Sequence, residues 1–153
     1  TYALPESQLD RFLMRISLGY PDRAAERELL NGNDRRGMVE ALTGMLTPVD
    51  LHGLQQQVLQ EHAAGPLLNY VQDLVAATRS GRWFATGLSP RAGIAVLRAA
   101  KAQALLCGRD YAAPDDVQAI LAQTAAHRLI PVGDAGRGSV EQVRAMIAAV
   151  PLP

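Results

Sequence analysis

The sequence predicts a mainly α-helical fold, a helical bundle preceded by a short helix and one short strand. Three observations predict it. Helix-starting signals stand before apolar-periodic stretches, as in Ser89-Pro90, Pro114-Asp115-Asp116 and Ser139 with Gln142. Alanine is abundant while aromatics make up only 5%, which favours close-packed helices over a β-sandwich built from β-branched and aromatic residues. One stretch, residues 14–18 (Met-Arg-Ile-Ser-Leu), alternates apolar and polar side chains as a half-buried strand does. A chain of 153 residues has the length of one domain, or of a small domain with an appendage, and can bury a core of its own.

The first helix is expected over residues 5–12. Pro5 suits a first helical position and Glu6 complements the positive end of the helix dipole. Leu9, Phe12 and Leu13 would pack inward, which leaves Asp10 and Arg11 on the other side. The strand at 14–18 cannot form a sheet by itself; it must pair with something outside the chain or lie alone as an extended segment. Gly19-Tyr20-Pro21-Asp22 is a turn and helix start, and the helix continues to Leu30 before Asn31-Gly32-Asn33-Asp34 ends it. Residues 35–48 read as partly irregular. Asp50 can cap a helix whose inner face is Leu51, Leu54 and Val58.

Residues 66–79 carry the clearest amphipathic pattern, with Leu67, Leu68, Val71, Leu74, Val75 and Thr78 on one face. Residues 80–88 form a loop. A long helix then starts with Ser89 as N-cap and Pro90 at its first position. It is apolar almost all round through Cys107 and is therefore expected to be the central, buried one, ended by Gly108. Pro114 opens another helix with acids in its first turn and Val117, Ile120, Leu121, Thr124 and Ala125 facing inward. Residues 129–132 are a candidate extended segment, and residues 133–138 a glycine-rich connector. Ser139 and Gln142 make a capping box for a last helix with the face Val140, Val143, Ile147 and Val150.

Composition narrows the function classes. Lys+Arg and Asp+Glu both number 15, whereas a nucleic-acid or membrane-surface binder usually carries a basic excess. Cys107 is the single cysteine, so neither an intrachain disulfide nor a Cys-rich metal site can form. No signal peptide or apolar run of spanning length is present, and the expected location is the cytoplasm. The chain begins at Thr1, within what reads as a continuing element, and is expected to be a piece of a longer protein. A P-loop needs Gly-x-x-x-x-Gly-Lys-Ser/Thr, because its lysine reaches the β- and γ-phosphates. The only lysine is Lys101, inside the long helix. This sequence cannot cradle a triphosphate in that way.

Two arginines are candidates for chemistry. Arg91 lies in the first turn of its helix, where a cation opposes the dipole. Free N–H groups at a helix start together with an arginine favour an anion such as phosphate. The competing reading is an exposed arginine paired with a carboxylate, since surface pairs are common. Arg11 follows Asp10 on the outer side of the first helix, where a solvated or salt-bridged arginine is the more frequent outcome. Other features read as structural. Gly133-Asp134-Ala135-Gly136-Arg137-Gly138 resembles a phosphate loop but follows no buried strand. His52, His62 and His127 have no second ligand at metal spacing; the first two read as surface residues and His127 as a helix-end contact. Cys107 reads as a small core residue. Trp83-Phe84 reads as tucked onto the bundle rather than as an exposed patch.

Leu4-Pro5-Glu6-Ser7-Gln8-Leu9-Asp10-Arg11-Phe12 and Gly87-Leu88-Ser89-Pro90-Arg91-Ala92 resemble two segments of the MoxR family of AAA+ ATPases, LPEAQLDRF and GASPRA. Gly19-Tyr20-Pro21-Asp22-Arg23, Leu74-Val75 with Thr78-Arg79, Gly108-Arg109-Asp110-Tyr111, Pro114-Asp115-Asp116-Val117 and His127-Arg128 are similar as well, in order along nearly the whole chain. The chain departs from the pattern at Ser7 and Leu88, and residues 35–48 and Trp83-Phe84 match no motif. The resemblance implies that residues 1–18 are the C-terminal edge of an ATPase core and residues 19–153 its helical lid. It implies that Arg11 is an arginine finger acting on a neighbouring subunit's ATP, and that Arg91 is the sensor-2 arginine, in cis or in trans. ATP and Mg²⁺ would belong to the full-length parent, with no cofactor expected in this chain alone. The implied partners are copies of the parent in a homo-oligomer, a hexameric ring, and protein clients, some with von Willebrand A domains, which a chaperone-like ATPase helps to assemble or activate. No nucleic acid and no membrane insertion are expected.

The rival reading is a non-enzymatic helical adaptor, which would leave Arg11 and Arg91 without a shared task. A helix-turn-helix nucleic-acid binder is disfavoured by the zero net charge. Because the P-loop is missing, this chain alone should show no ATP turnover above a buffer control. Turnover from a preparation proven free of contaminating ATPase would overturn that reading.

Overall fold

The structure, a computed structural model, describes residues 4–32, 35–133 and 138–153, without the side chains of Arg35 and Arg36. Asn33, Asp34 and most of the glycine-rich connector after Gly133 therefore lie outside the described residues. The mainly helical class is borne out. Among the described residues, helices α1 (Glu6–Leu9), α2 (Arg23–Leu30), α3 (Arg35–Glu40), α4 (Pro48–Gln60) and α5 (Gly65–Arg79) precede strand β1 (Phe84–Thr86). Then come α6 (Pro90–Leu106), α7 (Pro114–Ala125), a 3₁₀ turn at Ala126–Arg128, strand β2 (Ile130–Pro131) and α8 (Val140–Ala149). The chain divides into two compact units, residues 1–15 with 55–153, and residues 16–54.

The larger unit holds the core. On α6 the buried positions Ala92, Val96, Ala100 and Ala104 recur every fourth residue, which places them in one stripe. Three of the four are alanines, so the backbone of α6 can come close to its neighbours, and α7 covers it most extensively. Around that stripe sit Leu67, Tyr70 and Leu74 of α5, Val117 and Leu121 of α7, and Val143 and Met146 of α8. The hydroxyl of buried Tyr70 accepts a hydrogen bond from Gln118 Nε2 at 2.9 Å, so the ring is buried without an orphaned polar atom. Asp116, also buried, receives both forks of the Arg109 guanidinium. That pairing, helped by the backbone N–H of Ala113, holds its carboxyl below the usual range.

Several expectations are corrected here. Helix α6 is not buried all round: Ile94 and Leu106 are 64% and 83% exposed, because its apolar residues outnumber the positions that one stripe can bury. Cys107 is exposed, not a core residue, since it is the C-cap of α6. There Gly108, with φ +72°, donates to Leu105 O while Arg109 N donates to Ala104 O. These are the two bonds of a Schellman stop, and they require the left-handed conformation that glycine tolerates. On α5, Leu68 is 41% exposed and Tyr70 takes its place in the core.

Residues 14–18 form no strand and join no ladder among the described residues; Arg15 N donates singly to Gln123 O at 2.8 Å. The expected loop at 80–88 contains β1, antiparallel to β2, and the extended character expected at 129–132 is what β2 uses. Phe84 is buried and Trp83 packs against the core, as expected of a tucked loop.

In the smaller unit, α2 is capped as expected: Ala25 N donates to Asp22 Oδ1 at 2.8 Å. Residues 35–40 are helical and 41–46 irregular, in keeping with the mixed reading of that stretch. The start of α4 departs from expectation. Thr47, not Asp50, is the cap: Asp50 N donates to Thr47 Oγ1, and Thr47 N and Oγ1 donate to Asp50 Oδ2, a reciprocal box. The expected inner face of Leu51, Leu54 and Val58 is not buried, nor is any residue of α4. A unit shorter than roughly 40 residues cannot usually enclose a core.

The loop before α6 fixes where that helix begins. Leu88 N donates to Thr78 Oγ1 at 3.0 Å, and Arg79 Nε donates to Leu88 O at 2.8 Å. Gly87 lies so close to α5 that an added Cβ would stand 2.8 Å from Thr78 O and 2.9 Å from the Cα of Arg79. Backbone atoms cannot swing aside as a side chain can. Gly87→Ala should therefore destabilise the fold by about 1–3 kcal/mol through overpacking. Thermal unfolding checks this, and an unchanged midpoint would contradict the tight approach.

Candidate functional site

The first turn of α6 is built by Ser89. Its Oγ accepts from Ala92 N at 3.1 Å, the expected N-cap. The same hydroxyl donates to the carboxylate of Asp10, with Oδ1 and Oδ2 at 3.1 and 3.0 Å. Asp10 is the C-cap of α1, so this bond brings the segment that carries Arg11 to the helix start that carries Arg91.

The two sequence-predicted arginines line one cleft of about 300 Å³, together with Asp10, Leu13, Ile94, Arg98 and Arg128. Arg91 and Arg98 are seven residues apart on α6, two turns along one face. Four arginines thus line a space with one acidic residue. Such a set suits an anion with several oxygen acceptors, because guanidinium forks match phosphate geometry. Metal ligation is a poorer fit: among the described residues no three His, Cys, Asp or Glu side chains gather where they could hold an ion.

Arg128 sits deepest in this group. Its Nη2 donates to Phe12 O at 2.6 Å, and its Nε lies 3.6 Å from Asp10 Oδ1. Its Nε and Nη1 are buried without a hydrogen-bond partner. Burial pulls its pKa down; the Asp10 charge opposes this and the Arg91 charge adds to it. Phe12 O also stands 3.2 Å from Nε2 of buried His127. A carbonyl only accepts, so the ring nitrogen donates. The expectation of a helix-end contact for His127 therefore holds, with the partner now named.

The expected inward packing of Phe12 and Leu13 is corrected: they are 55% and 47% exposed. Helix α1 is a single turn that ends at Leu9, so no helical face continues to carry them inward. The segment docks through its polar groups instead. Sequence reasoning gave Asp10, Arg98 and Arg128 no role. The spacing of Arg98 from Arg91 was a usable signal, whereas the meeting of Arg128 with Phe12, 116 positions apart, left none.

Comparison with known proteins identifies the fold. Residues 76–149, which include all of α6 and α7, match the AAA lid domain family. The fold and this match thus define the lid of a AAA+ protein. The uncharacterized protein YeaC of Bacillus subtilis is 35% identical over the whole chain, which spans 49% of that relative. Chaperone MoxR1 of Mycobacterium tuberculosis is 37% identical over 88% of the chain and 37% of its own length. A crystal structure from Cytophaga hutchinsonii assigned as an ATPase superposes with a TM-score of 0.76 at 27% identity, covering 98% of this chain and 49% of that one. The chain belongs to the MoxR family of AAA+ proteins, whose lid region it carries. It spans half or less of the length of these relatives.

The His127 contact makes a pH prediction. Burial, followed by the charges of Arg128 and Arg15, lowers its pKa from 6.5, while its bonds to the backbone at Phe12 and Gln123 work the other way. The unfolded chain therefore takes up the proton first, so stability is full above about pH 6.5 and declines as pH falls toward the lowered folded value. The unfolding midpoint should drop between pH 7.5 and 5.5, and His127→Gln should flatten that drop. The Asp116 carboxyl titrates well below this window. An equal drop in both proteins would remove His127 as the cause.

Proposed function

We propose that this chain supplies two arginines to one ATP-phosphate site of a MoxR-type ATPase, Arg11 as arginine finger and Arg91 as sensor 2. The observation that carries this reading is the shared cleft: Arg11 and Arg91 line the same space, joined by the Ser89–Asp10 bond. Phosphoryl transfer is assisted mainly by positioned positive charge, which bound Mg²⁺ and arginine forks supply together. In this proposal ATP and Mg²⁺ are held chiefly by the P-loop part of a longer parent. Residues 1–18 are then the edge of that parent's core and residues 19–153 its lid. The exposed Phe12, Leu13 and Met14 fit a surface that continues into such a core.

Sharing one cleft has a consequence for geometry. An arginine finger acts on the nucleotide of the neighbouring subunit. If Arg91 serves the same phosphates from the same protomer, it acts in trans too. The parent would be a ring of copies, a hexamer, working as a cytoplasmic chaperone-like ATPase on protein clients, von Willebrand A proteins among them. The chaperone name of the Mycobacterium tuberculosis relative supports the class of client. No helix among the described residues is long and apolar enough to cross a membrane.

Mixing experiments on the full-length parent test this. Arg11→Ala should lower turnover by about 10³–10⁵ with ATP binding near normal, and Arg91→Ala should also impair turnover while the lid stays folded. Subunits carrying either change, mixed with subunits dead at the P-loop lysine, should regain activity, because some interfaces then pair an intact P-loop with both arginines. Mixing Arg11→Ala with Arg91→Ala subunits should regain none, since each donor lacks one of the two. Recovery in that last mixture would place Arg91 in cis and break the shared-site reading.

A further inference from the structure

Arg11 is exposed and follows a helix of one turn, too short to hold its own shape in water. A finger needs a fixed position, so something else must fix it. The apolar side chains beside it do not, because Phe12 and Leu13 remain largely exposed. The fixing groups are polar. Phe12 O takes hydrogen bonds from Arg128 and His127, Asp10 faces Arg128 and receives the Ser89 hydroxyl, and Arg15 N donates to Gln123 O. Arg128 is the member of this set that touches the segment on both sides of Arg11, at Asp10 and at Phe12.

Its burial is costly. The residue is 8% exposed, and two of its three nitrogen sites have no hydrogen-bond partner. Buried ion pairs are often no better for stability than apolar residues of similar size. A side chain chosen for stability alone would not be this one. From the two-sided grip on Arg11 we infer that Arg128 is a positioning residue: it sets the finger, and through Asp10 and Ser89 it keeps the finger in register with Arg91. This inference rests on the proposed function for its catalytic meaning, but the docking itself can be measured without nucleotide.

The test uses the full-length parent and Arg128→Gln. Hydrogen exchange without nucleotide should speed up at the amides of residues 10–15 by about tenfold to a hundredfold, the range for losing one hydrogen bond to a charged group. Amides in the middle of α6 should keep their protection. ATP turnover should fall at least about tenfold on the same basis, with ATP affinity near unchanged. The double variant Arg11→Ala/Arg128→Gln should be no slower than Arg11→Ala, because residues acting through one group are not additive. Unchanged exchange at 10–15, or uniform loosening of the whole fold, would overturn the positioning role. If Arg128→Gln does not fold, Asp10→Asn reads the same contact from its more exposed side, and unchanged local exchange there overturns it equally. The two readings fail differently. Normal turnover in Arg11→Ala would sink the finger, whereas a loss there with normal turnover in Arg128→Gln would sink only the inference.

Discussion

The hydroxyl of Ser89 faces two ways, and most of the site depends on this. As an acceptor it closes the first turn of α6 and so decides where Arg91 emerges. As a donor it holds the carboxylate of Asp10 and so decides where Arg11 can be. An N-cap contributes about 1 kcal/mol to a helix, a small part of a domain's stability, yet here it joins segments 79 positions apart in sequence. The close approach of Gly87 to α5 serves the same end from behind, because it leaves Ser89 little freedom to shift.

Like charges would not gather around a cleft without compensation. Asp10 is the one carboxylate in the group, and it is divided between a hydroxyl and a guanidinium. The cleft therefore holds more positive charge than its own residues neutralise. An anion with several oxygens would relieve that excess. The apolar groove between α5 and α6, lined by Val71, Val75 and Leu97, has no such polar demand.

Much of this was legible in the sequence, for local reasons. Caps and stops are read within four or five residues, so Asp22, Ser89, Gly108 and the Ser139–Gln142 box were all placed correctly. The family resemblance marked Arg11 and Arg91, and the spacing along the helix marked the buried face of α7. What failed required knowledge of partners. The alternation at 14–18 has the form of a strand but no neighbour to pair with. The apolar residues of α4 ask for a covering surface that their period cannot supply. Arg128 had no role on sequence grounds until the fold brought Phe12 to it. The Thr47 cap was missed for a smaller reason: Asp50 and Thr47 are both good caps, and only the chain's path chose between them.

Helix α6 also has properties of a lever. Its 17 residues span about 25 Å at the usual rise, with Arg91 in the first turn and Cys107 just past the last. A rotation that moves the arginine end is carried by a stiff rod to the thiol end. That thiol is exposed, and it is the single cysteine of the sequence. The chain therefore comes with its own attachment point for a fluorophore or spin label, at the far end of α6 from Arg91 and about two dozen ångströms from it.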